Sequence, residues 1–298
     1  MFSFILNGVI AGSLIALVGS GFALIYGTAR FFHLGHGAAV VVGGYCHYCL
    51  YVLLRWNFGP SLFFSMLCSA LLGILMEEVV YRPLRKRGAP SMVLFISSLG
   101  ILQVVQSGVA LLFSDEVKLL RRGAITPGYE ILGASITGNQ ILTICMSVAI
   151  GVGLELMQKK TSLGKFIKAT ADEPRLAEIA GINTDRILLM TSALGSALGG
   201  LAGVFVGFET NINPAMGMNS ILLAIIAALI GTGRIWGTMA SAYGLGIVQQ
   251  LGVFQLGAQW KNSIAMSILI LFLLGKWIIQ RNGLFQKPRK VTSSLPSN

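Results

Sequence analysis

Charge is what this chain has least of. Only 11% of its 298 residues are Asp, Glu, Lys or Arg, against about 25% in a soluble domain. Acidic residues are scarcer than basic ones, 11 against 22. Such a chain has too little polar surface to cover a soluble core, and it lacks the charge-rich, apolar-poor composition of a disordered one. Cysteine is sparse as well. Cys46, Cys49, Cys68 and Cys145 all fall in apolar stretches, which excludes a disulfide scaffold. Cys46 and Cys49 enclose His47, but no second Cys/His cluster stands at ligand spacing. These residues therefore read as small buried fillers of a membrane helix, and no metal is expected.

Several catalytic signatures are missing. No G-x-x-x-x-G-K-[ST] occurs, since Gly164-Lys165 is followed by Phe166, so this chain carries no phosphate-binding loop of that kind. There is no H-E-x-x-H and no G-x-S-x-G, and no carboxylate pair lies inside an apolar run. A lipid-modifying enzyme would need such a set at the interface. An ion-coupled carrier would bury Asp, Glu or Arg within its spans, and the long runs lack them. Glu77 and Glu78 stand at a span end beside Arg82, where a surface charge pair is expected. No cofactor is expected.

What the chain has in abundance is apolar sequence, 54% of residues with 37 Gly and a mean hydropathy of +0.76. About 20 apolar residues cross a hydrocarbon core as a helix. Charge-free runs lie near 4–26, 36–54, 60–76, 91–113, 139–154, 187–208, 216–233, 235–258 and 262–275. The expectation is an all-α, polytopic membrane protein with eight to ten segments, some half-spanning, forming one domain over 1–298. Basic residues cluster in the loops at 82–90 and 159–186 and in the tail at 276–298. With nine segments these regions share one side. The positive-inside rule then puts them in the cytoplasm, with the N-terminus outside.

Small residues mark helix contacts. Gly8 and Gly12 begin one four-residue period, and Gly195, Gly199, Gly203 and Gly207 form another. This spacing lets helix backbones approach closely in a membrane. Two such ridges also hint at two related halves. The segment 159–186 reads as a cytoplasmic loop carrying a short amphipathic helix. Asp172 is a candidate cap, Glu173 and Pro174 suit a first turn, and Leu176, Ile179 and Ala180 share a face before the Gly181 stop. Helix breaks are expected at Leu34-Gly35-His36-Gly37 and at Asn211-Ile212-Asn213-Pro214, where freed backbone groups can meet a zwitterion's charges. Gln103 and Gln106 share one face of the fourth segment, which is expected to point into the bundle.

Four stretches carry a family resemblance. They are NGVIAGSLIALVGSGFALIYG at 7–27, FFHLGHGA at 31–38, EEVVYRPLRKR at 77–87 and ATADEPRLAEIAGINTDRI at 169–187. In this order and spacing they resemble the permeases of branched-chain amino-acid ABC importers, LivH type. Ala38 stands where that family often has an acidic residue, and GTGRIWGTM at 231–239 lacks the family's Pro. The resemblance implies an inner-membrane permease that opens a pathway by alternating access. It implies two cytoplasmic ATP-binding subunits, a second permease chain, a periplasmic binding protein and an amino-acid substrate. Urea, short amides or other amino acids are the alternative cargo. By resemblance the coupling residues are Asp172, Glu173, Pro174, Arg175, Leu176, Glu178, Ile179 and Gly181. Candidate pathway residues are Gly35, His36, Gly37, Gln103, Asn213 and Pro214, with His36 preferred over His33.

Overall fold

The computed structural model describes residues 2–121, 128–131 and 134–281. Each of the nine apolar runs forms a helix. These are α1 (Phe2–Ala29), α2 (His36–His47), α3 (Phe58–Met76), α5 (Ser91–Phe113), α6 (Gly138–Lys160), α9 (Thr184–Thr210), α10 (Met216–Ile230), α11 (Ile235–Leu256) and α12 (Lys261–Arg281). Shorter helices fill the links: α4 (Arg82–Lys86), α7 (Ser162–Asp172) and α8 (Pro174–Ile179). The two strands, β1 (Tyr129–Ile131) and β2 (Ala134–Ile136), form an antiparallel hairpin.

Six of the described helices, or α3 with its extension, are long and apolar enough to cross a membrane alone. The helices α10 and α11 qualify only together, with a bend of 117° between them. At 12 residues α2 is too short by itself, and a π-helical stretch, Tyr48–Leu53, prolongs it. The expected nine segments thus comprise six long helices and three short or bent pieces.

The packing is reciprocal. α1 lies along α10 and α11, while α9 lies along α2 and α3; α5 packs on α2 as α12 packs on α10. Of the two sets of four, α1, α2, α3, α5 and α9, α10, α11, α12, each packs its first helix against the second and third helices of the other, and α1 and α9 run in opposite directions. This is the arrangement of an inverted repeat. A methyl group on Gly12 would come within 2.7 Å of the Tyr243 Cα, and one on Gly8 within 2.7 Å of the Ile247 Cα. α1 and α11 therefore touch backbone to backbone. On α9, Gly195 faces Ile25, Gly199 faces the His36 ring, Gly203 faces the Val40 carbonyl and Gly207 faces Ile212. Serines add cross-helix bonds: Ser69 Oγ donates to the Ala39 carbonyl at 2.9 Å and Ser192 Oγ to that of Gly73 at 3.0 Å. Such bonds are worth about 0.6 kcal/mol each in membrane bundles.

The helix ends sort into two poles. One pole joins the ends of α1, α4 and α6 to α7, α8 and the start of α9, and carries Arg30, Arg82, Arg85, Lys86, Lys159 and Lys160. The other holds the hairpin, the end of α9 and the α11–α12 turn, with Phe4 against Phe254 and Gln140 bonded to Glu209. Most of the tail at 276–298 lies outside the described residues.

Candidate functional site: a surface helix and a pair of buried helix starts

At the basic pole the segment after α6 turns twice. Thr161 caps α7 by accepting from the Gly164 amide at 3.2 Å. After Asp172 the chain extends through Glu173, and Pro174 opens α8, its ring suited to a first turn where no amide is needed. Gly181, at φ +84°, ends the turn that follows. Asn183 then caps α9, accepting from the Arg186 amide at 3.0 Å. Asp172 does not cap α8, contrary to expectation. The capping position falls on Glu173, which makes no side-chain capping bond, and Asp172 reaches back to Arg30 at 3.4 Å.

α8 is held by its polar side. Ala177 is buried, and Glu178 accepts a 2.6 Å bond from the Thr184 hydroxyl. Its apolar side faces outward: Leu176 is 64% exposed and Ile179 is 82% exposed. Arg175, Ala180 and Gly181 are exposed beside them. Beneath α8 lies a network of charges. Arg82 donates to Glu78 at 2.6 Å and to Asp185 at 2.9 Å, and Arg85 pairs with the buried Glu77. The network ties the α3–α4 end to the first turn of α9. Glu77 and Glu78 therefore pair at this pole, though with Arg85 and Arg82 respectively.

Deep in the bundle the two expected breaks meet. The links 30–35 and 211–215 each end in a helix start, at His36 for α2 and Met216 for α10. Gly37 and Gly217 face one another across these starts. A methyl group on Gly37 would come within 2.8 Å of the Gly217 carbonyl oxygen. His36 Nε2 lies 3.1 Å from the Val18 carbonyl, and its ring is wedged against Gly21 and Gly199. His33 is buried too, beside Tyr81, with 5.0 Å between ring centroids. Asn213 Oδ1 is buried without a partner among the described residues, and Pro214 is buried next to it. The 211–215 link is fastened from outside by a bridge in which Lys118 and Ile212 exchange backbone bonds of 2.9 and 3.0 Å. In that outer loop, the hydrogen bond and charge of Lys118 hold the Glu116 carboxyl below its ordinary range.

Gln103 is not in this interior. It is exposed on α5, donating to Ser107 at 3.5 Å. The reason is geometric: Leu94, Ser98 and Leu102, spaced by four, take the inward edge of α5. Gln106 turns only partly inward. Sequence reasoning also missed a set of amides, Asn7, Asn219, Gln249 and Gln250, which border one cleft at the outer pole. No spacing announces it, because its members lie on α1, α10 and α11.

Comparison with known proteins gives consistent matches. Residues 4–274 match the family model described as the permease component of the branched-chain amino acid transport system. The chain is 30% identical over 286 residues to the high-affinity branched-chain amino acid transport system permease protein BraD of Pseudomonas aeruginosa, covering 91% of this chain and 92% of that one. It is 29% identical over 296 residues to the LivH permease protein of Escherichia coli K12, covering 95% and 94%. The fructose import permease protein FrcC of Rhizobium meliloti is 27% identical over 75% of this chain and 65% of its own length. No solved structure matches the chain.

Proposed function

The chain belongs to the family of branched-chain amino acid transport system permease components, and from that premise we propose that it is the membrane subunit of an ATP-driven importer of branched-chain amino acids. The observation that carries the reading is α8. A short helix on the basic pole turns Leu176 and Ile179 outward, where apolar side chains need a partner to bury them. The occupant we assign is a cytoplasmic ATP-binding subunit, one to each of two permease chains. ATP hydrolysis falls to those subunits, because this sequence has no phosphate-binding loop. A binding protein outside the cell delivers the substrate.

The positive-inside rule supports a cytoplasmic basic pole, hence an outer N-terminus and a cytoplasmic C-terminus. The exposed Gln103 and Ser107 in the middle of α5 favour a second permease chain against that face, since polar groups in hydrocarbon seek partners.

Work enters as a difference in affinity. ATP-bound subunits must bind one state of the permease better than the other, or the equilibrium does not move. α8 meets them; the bonds from Thr184 to Glu178 and from Arg82 to Asp185 carry its displacement into α9 and α4. α9 lies along α2, with Gly199 against the His36 ring, so its shift alters the region where Gly37 of α2 meets Gly217 of α10. The positive dipole ends of the two helices at those starts suit a carboxylate.

The test is the double substitution Leu176→Asp with Ile179→Asp in the full transport system. The expected result is ATP hydrolysis that persists while leucine uptake is lost. Uptake at the wild-type rate would overturn the coupling role of α8.

A further inference from the structure

Resting on the importer reading, we propose that the outer-pole cleft between α1, α9, α10, α11 and α12 is a binding site for a free aliphatic amino acid, and that this chain itself selects among substrates. The cleft has a volume of about 490 Å³, in the range of small-molecule sites. On α1 it runs from Asn7 to Val18, a depth of about 16 Å at 1.5 Å per residue.

Its two ends differ in chemistry. Near the mouth, Glu209 offers a carboxylate and Lys261 an ammonium group. Gln249, on α11, is 0% exposed. Its amide nitrogen donates to the Lys261 carbonyl at 3.1 Å, while its Oε1 has no partner among the described residues. Asn213 Oδ1 is likewise unpartnered and borders the same space. A buried acceptor without a donor is costly, so two of them beside one cleft suit a ligand rich in N–H groups. An α-ammonium group supplies three. The first turn of α10 also borders the cleft, through Met216, Asn219 and Ser220. The positive dipole end of α10, together with Lys261, suits the α-carboxylate.

The deeper wall is apolar, with Leu14, Val18 and Leu223. A branched aliphatic side chain placed there leaves water without exposing any polar group of its own. Val18 is also the residue whose carbonyl meets His36. The floor of the cleft thus adjoins the α2 start, and a substrate held here lies next to the break it must pass. A sugar, with hydroxyls on every side, would leave polar groups against Leu14 and Leu223.

The test uses proteoliposomes holding the complete complex, with ATP and saturating binding protein. Radiolabelled leucine and alanine are the probes. Gln249→Leu removes the acceptor at similar bulk, and Asn219→Leu acts at a more exposed position that tolerates change. Each is expected to lower uptake of both amino acids about tenfold, the effect of losing a bond to a charged group. Leu223→Phe narrows the floor and is expected to shift the leucine-to-alanine uptake ratio about threefold toward alanine. Co-purification of the ATP-binding subunits in wild-type ratio identifies the variants that have folded. Wild-type uptake in Gln249→Leu and Asn219→Leu, with an unchanged ratio in Leu223→Phe, would overturn the site while leaving the importer intact. Absence of ATP-dependent leucine uptake by the unaltered complex would overturn the importer reading and the site with it.

Discussion

The guanidinium of Arg82 donates to the carboxylate of Asp185 at 2.9 Å, across 103 residues of sequence. It joins the end of α3 and α4 to the first turn of α9, just past α8. Both side chains are about one-third exposed, so solvent screens the pair and it adds little to stability. Its position between α8 and the bundle makes it a link for motion.

That link gives the first expectation. Asp185→Asn should leave the amount of folded protein near wild type but reduce uptake per ATP hydrolysed by roughly tenfold, which corresponds to about 1.4 kcal/mol of lost coupling. Exchanging the pair, as Arg82→Asp with Asp185→Arg, should recover part of the loss. Parallel assays of phosphate release and leucine uptake measure the ratio. An unchanged ratio in Asp185→Asn would show that the pair transmits nothing.

The glycines of α1 provide an internally controlled packing test. A Cβ on Gly12 would lie 2.7 Å from the Tyr243 backbone, whereas Gly27 has nothing within 4 Å of that position. Gly12→Ala should therefore cost about 1–3 kcal/mol, the usual penalty for overpacking, and Gly27→Ala almost nothing. Thermal stability in mild detergent distinguishes them. Equal melting temperatures would contradict the backbone contact between α1 and α11.

Sidedness can be read chemically. In a parent whose four cysteines are replaced, Glu116→Cys and Ala180→Cys place thiols on exposed loops of opposite poles. A membrane-impermeant maleimide applied to intact spheroplasts should label the first and not the second. Breaking the cells should expose the second. Labelling of Ala180→Cys from outside would reverse the orientation.

The exposed stretch of α5 makes a further prediction about assembly. In the same cysteine-free parent, Gln103→Cys carrying a thiol-attached photoreactive benzophenone should cross-link to the second permease chain on irradiation, visible as a band at the combined mass of the two chains. If that residue reacts only with lipid-phase reagents while the complex stays assembled, α5 faces lipid and the second chain sits elsewhere.

The sequence revealed the helices because apolar runs and glycine periods are local signals. α8 was legible for the same reason: Pro174 and Gly181 punctuate its two ends. What required three dimensions was direction. Gln103 and Gln106 share a face, yet nothing local says that Leu94, Ser98 and Leu102 own the inward edge of α5. Asp172 looked like a cap because residues of its type favour that place, but Arg30, 142 positions away in the chain, competes for its carboxylate. The cleft was illegible because Asn7, Asn219 and Gln249 are ordinary polar residues until α1, α10 and α11 come together. The joining of Gly37 to Gly217 was hidden likewise, although both breaks were marked by their own residues.

The most direct measurement isolates the chain from its native membrane by a mild affinity tag and identifies its companions by mass spectrometry. The account predicts two ATP-binding subunits carrying phosphate-binding loops and a second permease chain, in a complex that takes up leucine only with ATP and a binding protein. Recovery of this chain alone, with uptake driven by an ion gradient, would contradict it.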